Sequence, residues 1–243
     1  MPGKAIFIDT TRCTACRGCQ VACKQWNKLA ALTTTQTGTH QNPPDFSFET
    51  YKVVRFKEHK GEKGQPVWYF FSDQCRHCLE PPCMEAAVEG QGVEGSIRKD
   101  ESTGAVIYSE LTKKLKFDEI RSSCPYDIPR QNAKSTVIAK CTMCIDRIQN
   151  GLQPACVKSC PTQSMNFGDL EAMLKLAEER LNTVKTKFPQ AQLTNTTDVR
   201  VFYLVAEDPK KYHEFADASG ALGISRKTAL RKMLGPVKAL LHA

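Results

Sequence analysis

Apolar positions cluster in short runs over most of the chain and settle into a helical period only near its end. Ile6 and Ile8 flank Phe7 in an apolar opening strand. Tyr51 to Phe56 and Val67 to Phe71 are rich in β-branched and aromatic residues, and Ala105 to Tyr108 follows a turn at Gly104. These stretches read as small hairpins packed against loops. Pro43-Pro44, Pro81-Pro82 and the Gly90 to Gly95 segment punctuate the chain, so regular structure is modest before residue 165. Then the texture changes. Asp169 is placed to cap a helix in which Leu170, Met173, Leu174, Ala177, Leu181 and Val184 follow a 3.6-residue period. Arg200 to Val205 reads as a further strand. The basic stretch from Arg226 to Ala243, with Leu230, Met233, Leu234 and Val237 at helical spacing, reads as a docking tail, with a frayed solvated helix as the alternative. The pattern predicts an α+β fold of short β-hairpins with a C-terminal helical segment.

Composition narrows this picture. With 41% hydrophobic and 25% charged residues in 243, the chain has an ordinary globular balance and folds. Its net charge of +8 is compatible with nucleic acid, an anionic membrane surface or an acidic protein partner, and does not choose among them. The longest apolar run, Val201 to Ala206, falls far short of the roughly 18–20 residues of a membrane span, so none is expected. Ala5 to Ile8 is too short for a secretory hydrophobic region of about 7–15 residues, so the chain is expected to carry no export signal of its own. In that setting twelve cysteines point to metal or cluster binding rather than to a disulfide framework.

Their spacing carries the chemistry. Cys13, Cys16, Cys19 and Cys23 form C-x2-C-x2-C-x3-C, the run that bacterial ferredoxins use for [4Fe-4S] clusters. Three thiolates two residues apart wrap three corners of one cubane, and the fourth reaches a different cluster. Zinc fits poorly, because it takes paired C-x2-C elements in a closed tetrahedron. Cys141-x2-Cys144-x11-Cys156-x3-Cys160-Pro161 follows the same logic with an insertion before its third cysteine. Cross-ligation then assigns Cys13, Cys16, Cys19 and Cys160 to a cluster A, and Cys23, Cys141, Cys144 and Cys156 to a cluster B. Two fragments remain. Cys75-x2-Cys78-x4-Cys83 lacks a fourth cysteine, since Ala87 stands four residues on, and Cys124-Pro125 is an ending without upstream cysteines. Together Cys75, Cys78, Cys83 and Cys124 make a cluster C, so twelve ligands serve three [4Fe-4S] clusters with none left over.

This arrangement resembles the four-cluster iron-sulfur subunits of the molybdopterin oxidoreductase family, which look like two fused ferredoxin modules, with one cluster removed. The missing cysteines are the fourth of run two and the first three of run three, which together bind one cluster in the family. Further resemblance lies in Lys140 to Arg147, Pro154-Ala155-Cys156, Cys160-Pro161-Thr162, the Thr39 to Pro44 stretch and Ser123 to Arg130. The three-cluster version is similar to the small subunit of soluble tungsten- or molybdenum-containing formate dehydrogenases of sulfate-reducing bacteria. The resemblance implies a double ferredoxin-like domain over 1–165, with interleaved modules 1–45 plus 135–165 and 46–134. A helix, a strand and the basic tail then occupy 166–243.

It also implies an electron-transfer subunit that is not an enzyme on its own. The expected partner is a large catalytic subunit holding tungsten or molybdenum in a bis-pterin cofactor, where formate is oxidised to carbon dioxide or the reverse. The run-one and run-four module is expected to face that partner, which makes cluster C the exit towards a soluble cytochrome or ferredoxin. Export to the periplasm together with the catalytic subunit is expected, with a cytoplasmic location as the alternative. Two other readings stay open on the residues alone: the electron-transfer subunit of a polysulfide, thiosulfate or oxyanion enzyme, and a zinc-binding nucleic-acid module. The second lacks the basic helix and interleaved aromatics that nucleic-acid binding needs, so no nucleic acid is expected. Arg17, Arg76, Lys140 and Lys158, beside the cysteines, are candidates for tuning cluster potentials, and His77 reads as a structural residue rather than a ligand.

Overall fold

A computed structural model describes residues 3–218. Strand β1 (Lys4–Asp9) leads into α1 (Gly18–Trp26), a long loop, and the hairpin of β2 (Val53–Lys60) and β3 (Pro66–Asp73). A short helix α2 (Pro82–Glu85) runs into a π-helical turn (Ala86–Gly90) and the hairpin of β4 (Ile97–Lys99) and β5 (Val106–Tyr108). Next come α3 (Phe117–Ser122), the small hairpin of β6 (Arg130–Gln131) and β7 (Ile138–Ala139), and the single turns α4 (Ile145–Ile148) and α5 (Ala155–Lys158). The chain ends with β8 (Met165–Asp169), α6 (Leu170–Lys185), β9 (Gln192–Leu193), β10 (Val201–Val205) and α7 (Pro209–Tyr212). This is an α+β fold of two ferredoxin-like segments built on small sheets. The basic segment from Arg226 to Ala243, read from the sequence as a docking tail, lies outside the described residues. Among the described residues no helix is long and apolar enough to cross a membrane.

The hairpins at Tyr51 to Phe56 with Val67 to Phe71 and at Ala105 to Tyr108 form where the pattern places them. The opening strand behaves differently. β1 is not a hairpin arm but the centre of a four-stranded sheet of order β8-β1-β10-β9, pairing parallel with β10 and antiparallel with β8. Both central strands are covered on both faces, which is why they read as unbroken apolar runs. Successive side chains point to opposite faces. Ile6, Ile8, Val201, Tyr203 and Val205 pack with Cys19, Met143 and Cys156, while Ala5, Phe7, Phe202 and Leu204 pack with Leu170, Ala177 and Val184 of α6. The sheet thus has Cys19 and Cys156 packed on one face and the amphipathic helix on the other.

Asp169 precedes α6 at the N-cap position, yet its side chain caps nothing: the carboxylate accepts a hydrogen bond from Lys4 Nζ at 2.7 Å, because β8 pairs Asp169 directly with Lys4. Helix α6 is held by its apolar face instead. Phe202, fully buried, stacks on Phe7 with ring centroids 5.9 Å apart. Phe202→Ala is expected to destabilise the protein by about 3–5 kcal/mol, the usual range for such a truncation, seen as a lower thermal unfolding midpoint. A midpoint within a degree of the parent would mean that the sheet-helix face is not the principal core.

Candidate metal centres

One backbone device recurs at the first C-x2-C step of each of the three cysteine runs. The residue before the second cysteine is left-handed in each: Ala15 at φ 53°, His77 at 47° and Met143 at 57°. Side-chain-bearing residues adopt this conformation at a cost of roughly 1–2 kcal/mol, so its repetition marks a constraint. The left-handed turn aims the amide of that residue back at the first sulfur. His77 N–H donates to Cys75 Sγ and Met143 N–H to Cys141 Sγ, each at 3.4 Å, and Ala15 N–H does the same for Cys13. A second device follows Cys124 and Cys160, where Cys-Pro is succeeded by left-handed Asp127 and Gln163. In the first of these endings the Tyr126 and Ile128 amides face the Cys124 sulfur.

These loops close three cavities of similar size. Cys13, Cys16, Cys19 and Cys160 line the first, of about 330 Å³. Cys23, Cys141, Cys144 and Cys156 line the second, of about 300 Å³, and Cys75, Cys78, Cys83 and Cys124 the third, of about 340 Å³. All twelve cysteines are free. Helices explain the sharing between the first two: Cys19 and Cys23 sit one turn apart on α1, Cys156 and Cys160 one turn apart on α5 and its end, and these helices pack on each other. Each helix thus presents one sulfur to each cavity. Cys156 of the second cavity feels the charge of Cys19 of the first, and Cys141 of the second that of Cys75 of the third, so the second cavity is the middle one.

The donor set fits a polynuclear iron-sulfur group better than a single ion. Zinc needs its four thiolates within about 2.3 Å of one point. Here four sulfurs surround each cavity, yet among the described residues no three cysteine, histidine or acidic side chains converge closely enough to hold one ion. Electrostatics agrees. Burial first, and then the neighbouring thiols, raise the pKa of Cys141 to about 12 and of Cys124 also to about 12. Cys13 rises to about 11 for the same leading reason, against the opposing Ala15 amide. Four such thiols ionise together only when a cationic core replaces their protons.

The flanking cations divide. Arg76 and Lys140 are buried, Arg17 is half-buried with its guanidinium 5.3 Å from the Phe56 ring, and Lys158 is exposed. Arg76 pairs with buried Asp73 at 2.8 Å and lies 4.8 Å from the ring centres of both Tyr126 and Tyr203. Lys52, which no adjacent cysteine marks in the sequence, is buried too. It lines the second cavity, and its Nζ donates to Gln74 Oε1 and to Ser72 O, the latter at 3.4 Å. Burial alone would lower its pKa, but Cys156, Cys19, Tyr203 and Cys141 outweigh that and raise it. His77 is neutral: burial first, then Lys140 and Arg200, hold its pKa well below the usual range, and its Nδ1 accepts the Val106 amide at 3.0 Å.

A third group of buried residues is apolar. Ala87, at the position of the absent fourth cysteine, and Ile120 are fully buried in one group with Ile97, Leu115 and Ile138.

Comparison with known proteins yields two family models, each of a 4Fe-4S dicluster domain, one matching residues 12–86 and the other residues 66–170. The chain is 54% identical over 216 residues to the formate dehydrogenase subunit beta of Megalodesulfovibrio gigas, spanning 88% of this chain and 99% of the relative. It is 51% identical to the formate dehydrogenase 2 subunit beta (cytochrome c-553) of Nitratidesulfovibrio vulgaris, over 88% of this chain and 98% of the relative. A formate dehydrogenase-O iron-sulfur subunit of Escherichia coli is 34% identical over 86% of this chain and 69% of its own length.

Beneath the Cys75 loop, Asp73 accepts from Arg55 at 3.1 Å and Arg76 at 2.8 Å, with His213 Nε2 3.6 Å away. Burial lowers the His213 pKa from 6.5 to about 4, with Asp73 opposing. The unfolded chain therefore binds the extra proton between those values. The stability contributed by neutral His213 is full above pH 6.5 and is lost as the pH falls through 4. Denaturant melts between pH 7 and 5 should show a steeper loss of stability for the parent than for His213→Gln. Equal slopes would mean that the imidazole titrates normally.

Proposed function

The chain belongs to the iron-sulfur (beta) subunits of formate dehydrogenases, non-catalytic electron-transfer partners that carry 4Fe-4S clusters, and on that premise we propose that it holds three [4Fe-4S] clusters in a row. Cluster A takes Cys13, Cys16, Cys19 and Cys160; cluster B takes Cys23, Cys141, Cys144 and Cys156; cluster C takes Cys75, Cys78, Cys83 and Cys124. The single observation that carries this reading is the set of three cavities, each lined by four cysteines, three of them from a different stretch of chain than the remaining one. The modules 1–45 with 135–165 and 46–134 are the units that hold A with B, and C.

A bound cubane supplies reversible one-electron transfer, with a potential set by hydrogen bonds to sulfur, charge and burial. The chain's residues do the rest. Cysteine thiolates hold the iron, the left-handed loops aim amides at sulfur, and apolar walls exclude water. The electrons come from, or go to, formate at a tungsten or molybdenum bis-pterin centre in the catalytic subunit. Cluster A faces that subunit, a placement supported by the exposure of Cys16. Cluster C is the exit. The Nitratidesulfovibrio vulgaris relative is named with cytochrome c-553, which favours a soluble c-type cytochrome as acceptor over a ferredoxin. A periplasmic complex, exported with the catalytic subunit, follows from that acceptor.

Iron and acid-labile sulfide, measured on the anaerobically purified complex and corrected for the partner's own content, should each come to about twelve per chain. About eight would remove cluster C, and zinc without sulfide would overturn the assignment. Cys124→Ala should cut iron to about eight per chain and abolish cytochrome reduction by formate, while dithionite-reduced spectra keep the signals of two clusters. Normal cytochrome reduction in that variant would show that cluster C is not the exit.

A further inference from the structure

Two buried ammonium groups stand at the boundaries between successive sites. Lys52 lines the middle cavity and donates to the carbonyl of Ser72, whose hydroxyl lies 3.3 Å from Cys19 Sγ in the first. Its charge acts on Cys13 as well as on Cys23 and Cys156. Lys140 lines the third cavity and donates to Val106 O at 2.6 Å and to the carbonyl of Cys141, a residue of the middle cavity, at 2.9 Å. Its Nζ lies 4.8 Å from the ring centre of Tyr108, whose hydroxyl faces Cys83. Lys52 and Lys140 are 2% and 5% exposed.

Their neighbours show what is unusual. The buried guanidiniums of Arg55 and Arg76 share the Asp73 carboxylate, and Arg130 takes Asp45 and Asp127. Among the described residues, neither lysine has a carboxylate partner. An ammonium without a counter-charge in the interior is costly, so an anion is required nearby. Four thiolates around a [4Fe-4S] core of charge 2+ leave a net charge of 2−, which one-electron reduction makes 3−.

We propose that Lys52 and Lys140 are junction charges of the electron path, each stabilising the added electron on the two sites it separates. Lys52 serves A and B; Lys140 serves B and C. The middle site lies against both, so it is the site most stabilised by them. The step is a one-electron change of the core from 2+ to 1+, the electron coming from the catalytic partner or, in a titration, from dithionite. No proton moves in the step. The proposal rests on the three-cluster reading above and adds to it the residues that grade the potentials.

The test is a redox titration of the whole complex followed by low-temperature EPR, with signals assigned through Cys16→Ser for A and Cys124→Ser for C. Lys52→Met should lower the reduced-to-oxidised ratio of A and B at fixed potential by about tenfold or more, which is about 59 mV for a one-electron couple, and leave C in place. Lys140→Gln should shift B and C and leave A. Where a variant loses iron, Gln74→Glu replaces Lys52→Met, setting a carboxylate against the ammonium without removing it, and should also lower A and B. Lys140→Arg should restore the parent potentials of B and C. Full iron content with unchanged midpoints, or an equal shift of all three clusters, overturns the junction role and leaves the three-cluster reading intact. A parent complex with fewer than three clusters sinks that reading instead.

Discussion

Each cavity is lined by four sulfurs, three from one stretch of the chain and one returned from elsewhere along it. For the first cavity the central sheet makes the return. β1 ends just before Cys13 and β8 begins just after Cys160, and their antiparallel register sets Ile8 against Met165. Asp9 and Ser164 clamp the end of that pairing: the Asp9 amide donates to Ser164 O, and the Ser164 hydroxyl to Asp9 O, both at 2.7 Å. The same sheet reaches the third cavity through β10. Amides of Arg200 and Val201 donate to Arg76 O, and Val199 forms a β-bridge with Cys78. One sheet thus fixes the first and third cysteine loops relative to each other.

Charge governs what fills the space between these loops. Arginines in the interior are matched by aspartates, chiefly Asp73, Asp45 and Asp127, in a network that spans the β2-β3 hairpin and the segment after Cys124. Asp45 and Asp127 keep low pKa values there because arginine bonding outweighs the burial that would raise them. The lysines follow a different rule and answer to the thiols. Around Ala87 and Ile120 the interior is apolar instead.

Much of this was legible in the residues. The cysteine spacing names the chemistry because a cubane imposes a short-range geometry on the loop that wraps it, and such geometry shows as fixed intervals. The β-branched and aromatic runs at Val67 to Phe71 and Arg200 to Val205 announce strands, and the helical period from Leu170 to Val184 announces an element that buries a face. Asp169 misled as a helix cap because local preference lost to a cross-strand partner, Lys4, that proximity in sequence does not reveal. Lys52 was invisible for a related reason: no cysteine adjoins it, and only the β2-β3 hairpin brings it beside Gln74 and the middle cavity.

By itself the sequence determined the type of group bound, the fold class and the family, all of which rest on short-range patterns of cysteine, proline and apolar residues. Tertiary structure alone decided that the first strand joins the last in one parallel pair, that the three cavities lie in order with the second in the middle, and which cations stand between them. Those outcomes depend on contacts between residues far apart in the chain. Such contacts are set by which surfaces can be buried together, and a linear pattern does not encode that choice locally.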